Sequence, residues 1–524
     1  MKTQPLGPFL GINNRLPDFA LHVDKTGDFV RGAVNVDLTN AGTFVRRKTA
    51  SLLQALTAPH SLHNELMVVD SALYSVTLPT YSQTLVKLLS SNDRMSYVDF
   101  AGDTYFSNGT DAGRVSNGVA YPMGLPLPAE PVVTAIPGTL PAGRYQVAVS
   151  YYNSITGEEG GVSPSQNFHL TSDGALRIAL PATTAGVTHA NVYVSTLNGS
   201  IPFYQTTVAA GLPSADIVSI HTDSREAIQR YEAPLPAGRL FLFNGCLCSY
   251  KDNCVYEGLP FRPGYYLPSE GRVPFPANVS NCVPAQNGIY VVADKTYWIP
   301  GTRITTAEGI IQDVLPYGGV YGTEFAAPHK SQYGWFGDKG FVIASAQGEV
   351  EAVMTETVAV GALPNEGFST VFEDDGNRRV VSCGYALNLE NMGVTTYDGW
   401  DFTSISGDYA TRSDGVYVFD NQTKVAWSIN LGKQDFGAEN LKHLPAVYVG
   451  HASTEPIYLT ANLPNGAEYE YSARAVSEDL QIQRIDTGKG LRANWYGLSF
   501  SAREGEDFTL ASVSFAPVAS TRRI

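Results

Sequence analysis

No run of apolar residues in this sequence approaches the about 20 needed for a membrane-crossing helix. No stretch shows the periodicity of an amphipathic helix of any length. Charge is scarce, 16% of the 524 residues, and it leans acidic: 35 Lys and Arg against 50 Asp and Glu, a net −15. That balance excludes a protein that grips nucleic acid through a basic surface, though not one past which nucleic acid slides. Cysteine is limited to five residues, an odd number. Lys2 is followed by only a short apolar patch, with Arg15 and Asp18 close behind, so no secretion signal is read and synthesis in a cytoplasm is expected. A disulfide framework is therefore not expected. Cys246, Cys248, Cys254 and Cys282 lack the paired spacing of a zinc site. Cys246 and Cys248 alternate on one strand, where cysteine is an ordinary small core residue.

Catalytic signatures are missing as well. There is no G-x-S-x-G elbow, H-E-x-x-H helix or phosphate-gripping loop. The Ser-Asp-Gly steps at Ser172 and Ser413 lack the Thr-Trp of sialidase turns. Glu373-Asp374-Asp375 lacks the further oxygen ligands of a calcium loop. Glu158 and Glu159, beside Gly160-Gly161, read as solvated charges on a loop tip. These absences lead to the expectation of no enzyme, no catalytic or metal residues and no cofactor.

What the sequence has in quantity is hairpins. GRLFLFNGCLCSYKDNCVY (Gly238–Tyr256) reads as two strands joined by Asn244-Gly245, the strongest short hairpin signal, because both central residues of a type I′ turn need positive φ. The pattern recurs at Leu66, Tyr97, Ile289, Phe341 and Val416, and more weakly around Val381. The usual interval is about 40–50 residues, the size of a propeller blade. From Tyr97 to Leu240 the interval is far longer, as an inserted domain would make it. Within it, after the Pro-rich PLPAEP linker, short strands such as GRYQVAVSYYN and HANVYVSTLN indicate a small β-sandwich of immunoglobulin or fibronectin type.

The expected fold is all-β: a β-propeller with an inserted immunoglobulin/fibronectin-like β-sandwich and a C-terminal β-sheet platform region. The expected divisions are 1–53, an extended N-terminal arm or first strands with a hairpin around Asn40-Ala41-Gly42; 54–128, the leading portion of the propeller; 129–222, the sandwich; 223–440, the remaining portion of the propeller; and 441–524, the platform. The arm either lies across a neighbour or packs on the chain's own core. The Pro-rich stretch Leu259–Pro276 reads as a surface or interface loop. Pro300–Lys330 reads as a long excursion of the kind that docks or gates.

The opening G-I-N-N-R … N-V-D-L … V-R-R-K resembles that of many phage virion proteins. The order IYVVADKTYWIPG, an excursion ending GGVYGT, then FVIASAQGEVEAV is similar to the tail hub, or nozzle, family of short-tailed bacteriophages, also called packaged-DNA stabilisation or tail tubular proteins. The matching positions are Gly319, Gly322, Thr323 and Ala346 to Gly348. The resemblance implies a virion structural protein of the phage tail, located in the virion after synthesis in the bacterial host. It further implies a homo-oligomer, a hexamer, forming a ring that continues the DNA channel, retains packaged double-stranded DNA and lets it exit without sequence-specific binding. The implied partners are head-tail adaptor and portal-side proteins above and tail fibre or needle proteins below, with no membrane segment. Candidate channel, gating or docking residues on the excursion are Arg303, Asp313, Tyr317, Gly319, Tyr321 and Gly322. The rival reading is a carbohydrate-binding or host-adhesion propeller of the virion, with Tyr151, Tyr152, Tyr265 and Tyr266 as possible sugar-stacking residues.

Overall fold

In a computed structural model, residues 5–519 are described apart from 24–25, 183, 230, 306–310, 328–330, 438, 474–475, 489, 504 and 506. The regular structure of the described residues is almost wholly β; Asp18–Ala20 forms a turn of 3-10 helix. No helix among them is long and apolar enough to cross a membrane.

Seven antiparallel sheets follow one another along the chain. Six begin a meander at His60–His63, Ser96–Phe100, Arg239–Phe243, Asn281–Ala285, Phe325–Ala327 and Ser369–Asp374, each with four strands in chain order. In the third of these, Asn244 and Gly245 take φ of 45° and 75°, the turn anticipated from Asn-Gly. The seventh sheet has Ser404–Ser406, Tyr409–Arg412 and Gly415–Val418, and borrows its fourth strand, Ser51–Ala55, from near the other end of the chain.

Burial on both faces explains why these strands are so apolar. Met95 and Phe106 meet Val68 between the first two sheets, and Tyr105 meets Leu240 and Leu247 between the second and third. Phe241 and Cys248 meet Ile289, and Tyr290 and Trp298 meet Trp335. Phe336 and Phe341 meet Val380, Phe372 and Val381 meet Ile405, and Val416 meets Met67 and Leu62. The last contact brings the seventh sheet back onto the first.

Polar side chains hook neighbouring sheets together near the starts of their first strands. Ser404 Oγ accepts from Leu62 N at 2.7 Å, Ser61 Oγ from Met95 N at 2.9 Å, and Ser96 Oγ from Leu240 N at 3.0 Å. Asn281 Oδ1 accepts from Thr323 N at 2.8 Å, and Ser369 Oγ donates to Thr323 O at 2.5 Å. Each such bond contributes about 1 kcal/mol and also satisfies a backbone group that the sheets leave over.

Two further bodies complete the chain. Residues of the 132–217 stretch form a two-sheet sandwich around Tyr145, Val147, Leu176, Ile178 and Val192. The other body interleaves both ends of the chain. Ser477–Asp486, Ala446–Ser453, Phe508–Phe515, Phe44–Arg46 and Val36–Leu38 form one of its sheets, with Pro5–Leu6 beside Phe508–Phe515. Gly32–Val34, Trp427–Gln434, Tyr496–Ala502, Tyr458–Asn462 and Glu468–Ser472 form the other, which continues through Gly32–Val34 into the sixth sheet. The opening residues thus pack on the chain's own core, and the hairpin around Asn40 is formed by Val36–Leu38 and Phe44–Arg46.

Three expectations change. VYVFDNQTKVAWSI is not a hairpin: Ser51–Ala55 occupies the edge of Gly415–Val418, and Trp427–Gln434 leaves for the terminal body. Leu259–Pro276 is not wholly loop, since Tyr265–Tyr266 pairs with Ala233–Pro234 and Arg272–Pro274 is the fourth strand of the third sheet. Glu159 is not a solvated loop charge. It is 6% exposed, accepts from Tyr193 Oη at 2.5 Å and Asn191 Nδ2 at 2.8 Å, contacts Ser150 Oγ, and pairs with Arg225 at 2.5 Å. Glu158 pairs with Arg114 at 2.9 Å and accepts from Tyr265 Oη at 2.6 Å.

Candidate functional site: a cavity where the first strands begin

In an antiparallel meander, the connection into each first strand and the turn between the second and third strands fall at the same end. At that end of the seven sheets lies a cavity of about 620 Å³. Four sheets supply its walls: His60 opens the first, Asn92 and Arg94 lead into the second, Glu366 and Phe368 into the sixth, and Trp400 and Phe402 into the seventh. Trp400 is fixed by edge-to-face contacts with Phe372, Tyr397 and Phe402, at centroid distances of 6.1, 4.9 and 4.8 Å. An aromatic wall of this kind is expensive to leave in water and suits the apolar face of a flat ligand.

Beside the wall is a charged cluster. Arg94 donates to Gly367 O, stacks 5.1 Å over Phe368, and stands 3.9 Å from Glu366. Burial, then the neighbouring Arg239 charge, pushes its guanidinium down to about 10. Arg239 donates to Glu324 Oε1 at 2.6 Å and to Gly322 O at 3.2 Å. Although burial works against the charged form, the carboxylate of Glu324 holds Arg239 above the usual guanidinium range. His60 is lowered by burial, with the charge of Arg94 acting in the same direction, so it is neutral at pH 7.

The excursion candidates separate in space. Tyr321 and Gly322 belong to the charged cluster: Arg239 lies 5.8 Å over the Tyr321 ring, Tyr321 bridges to Glu366, and Gly322 has φ +76° with Arg239 Nη1 3.1 Å from where a Cβ would stand. Gly319 bridges to Gly337 between the fourth and fifth sheets. Tyr317 lies under Lys339 Nζ at 5.0 Å. Asp313, on the outer strand Gln312–Leu315, accepts from Lys295 at 2.9 Å, and Arg303 donates to Glu257 at 2.9 Å. Pro300–Lys330 therefore contributes two strands to the sheets, Gln312–Leu315 and Phe325–Ala327; its 306–310 and 328–330 lie outside the described residues.

The four tyrosines proposed for sugar stacking pack elsewhere. Tyr151 and Tyr265 are 4% and 2% exposed, their hydroxyls donating to Ala182 O and Glu158. Tyr266 packs edge-on against Tyr256 at 5.5 Å and Tyr152 lies 6.2 Å from His189. The five cysteines are free thiols, Cys248 and Cys282 buried, and the described residues hold no metal-binding cluster.

No protein-family model matches the chain, and no curated protein does. Solved structures that align with it include a family 43 arabinoxylan arabinofuranohydrolase from Bacillus subtilis (9% identity, TM-score 0.24, 81% of this chain and 96% of that one). An exo-β-1,3-galactanase from Phanerochaete chrysosporium aligns at 12% identity and TM-score 0.19, over 90% and 100%. The extracellular domain of a one-component system from B. thetaiotaomicron aligns at 10% and 0.19, over 91% and 92%. The expectation that the chain is not an enzyme is withdrawn, because glycoside hydrolases stand among these neighbours. At such scores the likeness assigns no activity.

Proposed function

We propose that the seven sheets are the blades of a closed β-propeller, carrying an immunoglobulin- or fibronectin-like insert, and that the cavity at the mouth of its axis binds carbohydrate. The observation that carries this reading is the cavity itself: Trp400, Phe368 and Phe402 line it with aromatic carbon, while His60, Asn92, Arg94 and Glu366 supply hydrogen-bonding groups around them. Aromatic carbon ringed by a few directed polar groups suits a sugar, which has an apolar face and a polar rim. A glycan array probed with the full chain, followed by calorimetric titration, tests it. One saccharide class should bind, and Asn92→Ala or Glu366→Gln should weaken binding at least tenfold. Absence of saccharide binding across the array sinks the reading. Chromatography of the same ligands after incubation reports any cleavage.

A second reading, the phage tail hub, is favoured by a different observation: strands from both ends of the chain build one two-sheet body joined to the sixth sheet. Such a body suits the platform expected of residues 441–524, with strands from residues 5–46 added to it. In this reading several copies form a ring that contacts adaptor and fibre proteins, and packaged DNA passes through the ring. The acidic balance suits such a conduit. Electron microscopy of the purified chain and of intact particles tests it. Rings with a hole that admits a duplex support it, and monomers in both settings overturn it.

A further inference from the structure

The carbohydrate reading can be taken to a ligand class through the charges at the cavity. Arg94 lines the cavity with its side chain only 21% exposed. Its direct acceptor is a neutral carbonyl, Gly367 O. The nearest carboxylate, Glu366, stands at 3.9 Å, beyond hydrogen-bond range, and is 48% exposed, so water screens it. Glu324 is engaged by Arg239 at 2.6 Å, and that second guanidinium is close enough to raise the cost of charging Arg94. His60 adds no compensating negative charge. A largely desolvated cation with a second one beside it is undercompensated, which an anion of the right shape relieves.

We propose that this cavity selects saccharides bearing a carboxylate, the uronic-acid class, with Arg94 as the partner of that carboxylate. The inference rests on the carbohydrate reading above. Guanidinium and carboxylate match in planarity and can form two parallel hydrogen bonds, a geometry that neutral hydroxyls cannot reproduce. The ring bearing the carboxylate would lie against the aromatic lining that Trp400 and Phe402 contribute to the cavity. Glu366 then borders the site and disfavours a ligand with a second negative charge on that side.

Calorimetric titration of the full chain with a galacturonic-acid trisaccharide, its methyl ester and the corresponding galactose trisaccharide tests the proposal. The acid should bind at least tenfold tighter than the ester, and the advantage should shrink as salt rises. Arg94→Gln should erase the difference between acid and ester, and Arg94→Lys should restore some of it. Equal binding of acid and ester by the unmodified chain overturns the acid selectivity and leaves the carbohydrate reading standing. If neither the trisaccharides nor the array glycans bind, the carbohydrate reading falls and the selectivity with it. The acid–ester comparison needs no variant, so a poorly folding Arg94→Gln leaves the outcome decidable.

Discussion

Glu159 shows how far one side chain's role depends on partners distant in sequence. On its own, Glu-Glu-Gly-Gly is a polar turn. In the fold, Glu159 lies on the strand Glu158–Val162 against Ser150, Asn191 and Tyr193 of neighbouring strands, with Arg225 completing the set. Burial alone would raise its carboxyl, but the three hydrogen bonds and the Arg225 charge outweigh that and hold it below the ordinary glutamate value of 4.5. A depressed folded-state value means stability that is present above the unfolded value and lost as pH falls through the folded one. Glu159→Gln should therefore destabilise the inserted sandwich at neutral pH by about 2 kcal/mol, less than a fully buried pair would lose because Arg225 is half exposed. Denaturant titration read on the sandwich should show the difference between wild type and variant narrowing as pH drops below 4.5. A constant difference across that range would place the loss in packing and not in the charge.

At the scale of the element, the seventh sheet depends on Ser51–Ala55. That strand reaches Gly415–Val418 across most of the chain and pairs Ser51 with Val418 and Gln54 with Val416. Leu53 packs beside Val416, Met67 and Leu62. The double substitution L52P/L53P removes two successive backbone donors and should unseat the strand, at a cost of about 3 kcal/mol or more. Amide exchange on Gly415–Val418 should then quicken at least tenfold while the third and fourth sheets keep their protection. Unchanged exchange there would mean that the seventh sheet holds without the strand. This element also marks where the sequence stops being readable. Local hairpins such as Phe241–Cys248 or Val291–Tyr297 announce themselves by alternation and a turn. The hairpin expected at Val416 failed because its edge is taken by a strand named hundreds of residues earlier. The cavity was hidden for the same reason. His60 opens one first strand, Arg94, Glu366 and Trp400 each precede another, and no spacing between them carries a signal. The regularity that could have exposed them is positional: in four of the seven sheets the residues at or just before the first strand converge.

For the whole molecule, the question is what couples the terminal two-sheet body to the seven sheets. A polar cleft of about 700 Å³ lies along their junction, and at it Arg379 of the sixth sheet reaches Asp37 at 3.0 Å and Asp374 at 2.8 Å. Lys48 also pairs with Asp374 at 2.6 Å, and Tyr397 donates its hydroxyl to Asp37. Burial dominates at Asp37 and raises its carboxyl, whereas Asp37 and Asp374 hold Arg379 above the usual guanidinium range. The two substitutions should therefore behave differently. A carboxyl with a raised folded-state value contributes stability below its unfolded value and loses it as pH rises, so at pH 7 the Asp37 charge is a burden. Asp37→Asn keeps a partner for Tyr397 and leaves Arg379 with Asp374, and should cost less than about 1 kcal/mol. Arg379→Met takes the ion partner from buried Asp37 and leaves Asp374 with Lys48 alone, and should cost about 3 kcal/mol. Because the junction is where the two bodies exchange charge, that loss should also split a single calorimetric transition into two, the terminal body melting first. Arg379→Met melting as one transition at the wild-type midpoint would remove the ion pairs from any coupling role. The continuous strand path through Gly32–Val34 would then be left as the link between the two bodies.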